Sequence, residues 1–167
     1  MIYTASCESP VGELLLASDG KSLTGLWLAG QKHYAAGMGE NAVSDHSLPV
    51  FDHAKRWLDD YFAGKQPAIN RLPLAPQGSE FRRRICQLLC EIPYGTLTTY
   101  GQLAKDYEAK FGQKTSARAV GGAVGRNPIS IIIPCHRVVG ANGAITGYAG
   151  GLDKKRLLLA HEGISGY

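Results

Sequence analysis

The sequence predicts an α/β protein in two parts: an N-terminal sheet with a covering helix, then a mostly helical C-terminal domain that carries a helix-turn-helix and a reactive cysteine. Three observations lead there. Residues 1–30 hold short apolar runs separated by turn signals, the pattern of strands. Residues 66–78 contain Pro67, Pro73 and Pro76, the composition of a linker. Beyond them apolar residues recur at helical rather than alternating spacing. The expected parts are residues 1–75, an N-terminal α/β domain, and residues 76–167.

In chain order, Ser9-Pro10-Val11-Gly12 reads as a turn, residues 14–17 as a strand, Asp19-Gly20 as a hairpin signal and residues 23–28 as a further strand. Residues 31–49 show no clear period, and their early part is expected to form a helix. Phe51, Ala54, Leu58, Tyr61 and Phe62 share one helical face, with Gly64 placed to end it. After the linker, Ser79 is a candidate cap for a helix bearing Phe81, Ile85, Leu88, Leu89 and Ile92. A short helix is expected from Tyr100 to Tyr107, capped by Thr98 or Thr99, and a small-residue helix over 116–124. Two short helices around a turn suit a helix-turn-helix. A last helix is expected over 152–161, stopped at Gly163.

The chain has 167 residues, 44% of them hydrophobic, enough for a packed core. No stretch is long and apolar enough to span a membrane. The segment 1–8 lacks a basic region followed by an apolar one, so no secretory signal is expected and a cytoplasmic location is, in a bacterium or archaeon. The four cysteines, at 7, 86, 90 and 135, are expected to be reduced thiols. Cys86 and Cys90 lie one helical turn apart with no further ligand pattern, so no metal and no cofactor are assigned.

Charge divides the chain. Residues 1–79 carry six basic and eight acidic side chains, a balance of −2; residues 80–167 carry twelve and six, a balance of +6. A basic half beside an acidic one suggests an anionic partner such as nucleic acid. Gly121 and Gly122 each cost a helix about 1 kcal/mol relative to Ala. Either a neighbouring helix or a DNA backbone must come close there. Ala117, Ala119 and Ala123 are equally small, and Arg118 is the cation of the first turn.

Ile131-Ile132-Ile133-Pro134-Cys135-His136-Arg137 looks like a buried strand that stops at a proline and delivers a thiol, a proton-transfer group and a cation. Only the thiolate reacts, so a pKa near 8.5 must be lowered by a cation, a helix N-terminus or a base. His136 directly follows Cys135, and successive side chains on a strand face opposite ways. A direct thiol–imidazole contact therefore needs a turn or a bridging water.

This segment, with Asn127-Pro128 upstream and Gly147-Tyr148-Ala149-Gly150-Gly151 and His161-Glu162-Gly163 downstream, resembles the active-site region of the O6-alkylguanine-DNA alkyltransferases, the methylated-DNA–protein-cysteine methyltransferases. The resemblance runs from Ser79 to Gly163. It implies direct, single-turnover repair of O6-alkylguanine, or O4-alkylthymine, in double-stranded DNA by a monomer, with Cys135 as the alkyl acceptor. It implies a water-bridged relay from Cys135 through His136 to Glu162, with Asn127 holding the nucleophile's segment. Arg118 resembles the finger that fills the stack beside a flipped nucleotide, on a helix face with Ser116, Ala117, Ala119 and Gly121. Tyr100 resembles the tyrosine that presses on the neighbouring phosphate and meets the flipped base. Pro134, Val138, Tyr148, Ala149 and Gly150 are implied as the substrate pocket. Two other classes remain open: a lesion binder without chemistry, against which Cys135 speaks, and a cysteine hydrolase, against which the adjacency of Cys135 and His136 speaks.

Overall fold

The computed structural model describes residues 1–36 and 38–167. The chain divides into two compact units: Met1–Gln77 with Pro128–Ile132, and Gly78–Asn127 with Ile133–Tyr167. The first holds a sheet and a helix and the second is mostly helical, as the α/β class requires. One unbroken part over 76–167 was expected; instead Pro128–Ile132 groups with the first unit.

In the first unit, β1 (Tyr3–Ser9), β2 (Gly12–Ser18) and β3 (Leu23–Leu28) form an antiparallel meander. A short β4 (Val43–Ser44) pairs parallel to β1, giving the order β3-β2-β1-β4. Ser9 closes the first turn, its hydroxyl accepting from Val11 N and donating to Gly12 O. Asp19 closes the second by accepting from the backbone N–H groups of Lys21 and Ser22. Gly25 is dictated by Trp27. Residues two apart share a strand face, and a Cβ at Gly25 would lie 2.1 Å from the indole ring.

Helix α1 (Pro49–Phe62) starts with proline at its first position and buries Phe51, Ala54, Leu58 and Tyr61 against the sheet. It stops as expected at Gly64, whose φ of +81° no right-handed helix accepts. The helix expected early in 31–49 does not form among the described residues. Turns occupy positions 32–36, with His33 and Ala35 at φ of 59° and 55°, and Gly37 lies outside the described residues.

The outer edge of β3 is covered by two segments distant in sequence. Leu23 N donates to Pro73 O and Ala75 N to Leu23 O; Leu26 N donates to Pro128 O and Ser130 N to Leu26 O. No exposed ladder of unpaired amides remains at these positions. The strand expected at 131–133 is absent. Ile129 makes a single bridge to Leu26, and the chain then turns.

In the second unit, α2 (Glu80–Cys90) is capped by Ser79, whose hydroxyl accepts from Arg82 N. Ile85, Leu88 and Leu89 face the core. The two-residue β5 (Thr98–Thr99) leads into α3 (Tyr100–Phe111), capped by the Thr99 hydroxyl and ended by Gly112 at φ 72°. This helix runs one turn past the expected Tyr107, because Tyr107 and Phe111 pack together with ring centroids 4.9 Å apart. Helix α4 (Ala117–Gly125) follows, then β6 (Val138–Val139), parallel to β5, and α5 (Leu152–His161). Helices α3 and α4 pack on each other and on α2. Among the described residues no helix is long and apolar enough to cross a membrane.

Candidate active site

The segment that carries Cys135 is a chain of tight turns. Ile132 N donates to Ser130 O at 2.8 Å across Ile131, whose φ is +71°. This is the rare left-handed γ-turn, and a β-branched residue in it is strained. Pro134 then sits at φ −82°, ψ 61°, with Cys135 N donating to Ile133 O at 2.8 Å: the common, relaxed γ-turn. Cys135–Arg137 continue as one 3-10 turn, with Arg137 N donating to Pro134 O. The turn resolves the adjacency problem. Successive side chains now diverge by about 120° rather than 180°, so all three can enter one buried cluster.

All three are buried, and so is Glu162. Glu162 ends α5 as its C-cap, where a helix dipole disfavours an anion. Its partners explain the placement. Oε1 accepts from Arg137 Nε at 2.8 Å and from Gly95 N at 3.0 Å; Oε2 contacts His136 Nε2 at 2.5 Å and accepts from Arg137 Nη2 at 3.2 Å. Arg137 Nη1 also donates to Ile92 O at 2.7 Å, and its guanidinium lies over the Tyr94 ring. Gly95 is required there: its φ is +74°, and a Cβ would come within 3.2 Å of Glu162 O.

A carboxylate on Nε2 assigns the ring proton to Nε2 and leaves Nδ1 as the acceptor. Nδ1 is buried with no hydrogen-bond partner among the described residues. Burial pushes the His136 pKa down. Glu162 opposes this, but Arg137 already compensates that carboxylate, so the neutral imidazole is favoured. A neutral ring with an unoccupied lone pair is a base.

Burial pushes the Cys135 thiol pKa up. A hydrogen bond from Asn127 and the charge of Lys155 pull the other way. Asn127 also donates through Nδ2 to Ile133 O at 2.9 Å, so one carbonyl receives both the Asn127 side-chain amide and the Cys135 N–H. Lys155 is fully buried. Its ammonium donates to Val138 O at 2.6 Å, Thr146 O at 2.7 Å and Gly147 O at 3.5 Å, and burial lowers its pKa to about 8. Neither Lys155 nor the pairing of Arg137 with Glu162 was anticipated. Their partners are carbonyls and a carboxylate far along the chain, with no local pattern to reveal them.

These observations pair His136 with Glu162 and Cys135 with Asn127. Tyr100 is delivered beside the segment by β5, whose Thr98 and Thr99 pair with Val138 and Val139. Val138 is itself fully buried and offers its carbonyl to Lys155. Tyr148, Ala149 and Gly150 are half-buried in the irregular stretch before α5, with Gly151 N donating to Tyr148 O. On α4, Ala117, Arg118 and Ala119 are exposed, and Arg118 makes no ion pair among the described residues. Ser116 has a structural task, capping α4 by accepting from Ala119 N. A Cβ at Gly122 would meet nothing within 4 Å, and one at Gly121 only the Tyr100 ring at 3.6 Å. Close packing inside the protein therefore does not explain these glycines.

A family model described as 6-O-methylguanine DNA methyltransferase, DNA binding domain, matches residues 80–164. A second, 6-O-methylguanine DNA methyltransferase, ribonuclease-like domain, matches residues 2–76. The chain belongs to the 6-O-methylguanine DNA methyltransferase family. The Haemophilus influenzae methylated-DNA–protein-cysteine methyltransferase is 43% identical over 163 residues, covering 98% of this chain and 87% of that protein. Its namesake from Methanosarcina acetivorans is 44% identical over 163 residues, covering 97% and 99%. Mycobacterium tuberculosis OGT, solved in complex with DNA, superposes with a TM-score of 0.81 at 39% identity, covering 96% of this chain and 92% of that one. The methyltransferase family thus accounts for both units, and the resemblance from Ser79 to Gly163 extends over nearly the whole chain.

Proposed function

We propose that this methyltransferase repairs DNA by moving the alkyl group of O6-alkylguanine, or O4-alkylthymine, onto Cys135, once per molecule. The supporting observation is the His136–Glu162 contact at 2.5 Å, which turns Nδ1 into the free base of the cluster. His136 takes the thiol proton, directly or through one water, and Glu162 steadies the imidazolium formed. The Cys135 Sγ–C bond forms as the C–O6 bond breaks, and the guanine leaves as an anion that Tyr100 protonates.

Double-stranded DNA meets the exposed face of α4, bound mainly through phosphates. There Ser116, Ala117, Ala119 and Gly121 offer little bulk, and Arg118 takes the place of the flipped nucleotide. Pro134, Val138, Tyr148, Ala149 and Gly150 bound the pocket. The protein works as a monomer, in the cytoplasm of a bacterium or archaeon. In this reading the part over residues 76–167 binds the DNA and carries the transfer, and residues 1–75 form the N-terminal α/β domain.

Intact mass and peptide mapping after incubation with a methylguanine duplex test the reading. One added methyl group on the Cys135 peptide is expected. Methylation of Cys86 or Cys90 instead rejects the acceptor. Lesion binding without any mass change makes the protein a binder, and release of a hydrolysis product makes it a hydrolase. Arg118→Ala should slow repair of the duplex about ten- to a thousandfold more than reaction with free benzylguanine. Equal losses on both would make Arg118 structural.

A further inference from the structure

Thr146 carries a hydroxyl that the reaction as described does not use. It donates to the Tyr100 phenolic oxygen at 3.4 Å. Both ends of this contact are anchored. The Thr146 carbonyl accepts from the buried Lys155 ammonium at 2.7 Å, which fixes the backbone bearing the hydroxyl. Tyr100 stands at the first position of α3, directly after the capping Thr99 that pairs with Val139. Its ring faces Gly121 of α4, where an added Cβ would lie 3.6 Å from Cδ1. The ring thus lies against Gly121 of α4, which has no side chain, while the phenolic oxygen meets the Thr146 hydroxyl.

With Thr146 as the donor, the contact leaves the phenol proton free. Each hydroxyl has one proton and two lone pairs. When Thr146 spends its proton on Tyr100 Oη, the phenol's own proton must point elsewhere, and it stays available to an acceptor. The same donated bond strengthens if Tyr100 loses its proton, because a charged acceptor binds a donor more tightly than a neutral one.

We infer that Thr146 is a positioning residue for Tyr100: its hydroxyl aims the Tyr100 O–H at the departing purine and steadies the phenolate left when that proton is given up. The inference rests on the reading that Tyr100 serves the flipped base. In the step, Cys135 Sγ bonds to the alkyl carbon and the C–O6 electron pair goes to the purine. The purine anion takes the Tyr100 proton, and the phenolate recovers one from water. Thr146 is not consumed and touches no reacting atom.

The test compares Thr146→Val, which keeps shape and removes the hydroxyl, with Thr146→Ser, which keeps the hydroxyl. Thr146 is exposed, so both variants should fold, and circular dichroism checks that they do. Single-turnover transfer from a methylguanine duplex should slow about three- to tenfold in Thr146→Val, the worth of one neutral hydrogen bond. Thr146→Ser should recover most of that loss. Affinity for the duplex and the reaction of Cys135 with iodoacetamide should not move in Thr146→Val, since neither needs the phenol proton. In a Tyr100→Phe background, Thr146→Val should cost nothing further. Wild-type rates in Thr146→Val overturn the inference, as does an undiminished Thr146→Val loss in the Tyr100→Phe background. A wild-type protein that leaves Cys135 unmethylated removes the underlying reading as well, and the wild-type arm shows that separately.

Discussion

Arg137 and Glu162 share two hydrogen bonds inside the protein, from Nε to Oε1 at 2.8 Å and from Nη2 to Oε2 at 3.2 Å. A fork of this kind neutralises the carboxylate without taking both oxygens away from other donors. Gly95 N and His136 Nε2 use what remains. Glu162 can therefore orient His136 without forcing a proton onto it.

Breaking that fork should be costly. Arg137→Met leaves the buried Glu162 charge uncompensated, and the loss should be about 3–5 kcal/mol by urea unfolding. Glu162→Gln keeps the shape but strands the guanidinium, with a similar loss. In its folded fraction, transfer at pH 7 should fall about ten- to a hundredfold and recover in part toward pH 9, where solvent ionises the thiol. Coincident pH–rate profiles for wild type, His136→Ala and Glu162→Gln would dismiss the relay.

His136 ties stability to pH with a definite sign. Its folded pKa is held below 6.5 by burial, while the unfolded chain keeps the ordinary value. Between the two, the unfolded state binds the extra proton, so stability is full above about pH 6.5 and falls as the pH drops. The slope approaches about 1.4 kcal/mol per pH unit. Urea titrations at pH 7.5 and 5.5 should show this fall in wild type and a shallower one in His136→Gln. Parallel behaviour would mean that the ring binds its proton equally in the folded and unfolded chain.

Lys155 should matter most below its own titration. Its charge lowers the Cys135 pKa against the burial that raises it, and it gives up its proton near pH 8. Lys155→Gln should move the iodoacetamide profile of Cys135 to higher pH. The deficit should be largest at pH 7 and shrink above 8, where wild type has lost the charge too. A deficit that stays constant from pH 7 to 9.5 would point to packing instead.

The strained turn at Ile131 should be visible by comparison with its neighbours. Ile131 and Ile132 are both buried, and removing either side chain costs several kcal/mol. Glycine relieves the left-handed strain only at position 131, worth about 1–2 kcal/mol. Ile131→Gly should thus destabilise less than Ile132→Gly by about that margin in urea unfolding. Equal losses would say the turn is unstrained.

The helices and hairpins were legible because their signals are local. Ser79, Thr99 and Gly64 act where their neighbours said they would, and the first three strands follow their turn residues. The run Ile131-Ile132-Ile133 misled because a fully buried segment has no polar alternation to set its period. Two γ-turns and a 3-10 turn look, in composition, like a core strand. Cys135, His136 and Glu162 came from the motif. Arg137 was seen only as a nearby cation, since its partner lies 25 positions away. Lys155 was invisible because a lysine bonded to carbonyls has no acidic counterpart to find. Gly121 and Gly122 posed a choice that the structure narrows, by giving them no internal neighbour that demands glycine.

Gln31 and Ser130, 99 positions apart, meet within hydrogen-bonding distance in the first unit, beside the bridge from Leu26 to Ile129. A ribosome emits residues in order, so β3 must wait with part of its edge open until the strip 128–132 arrives. The first unit is thus among the earliest parts synthesised and among the last completed. Contacts this distant in sequence slow folding, and an open edge is where a nascent chain finds wrong partners.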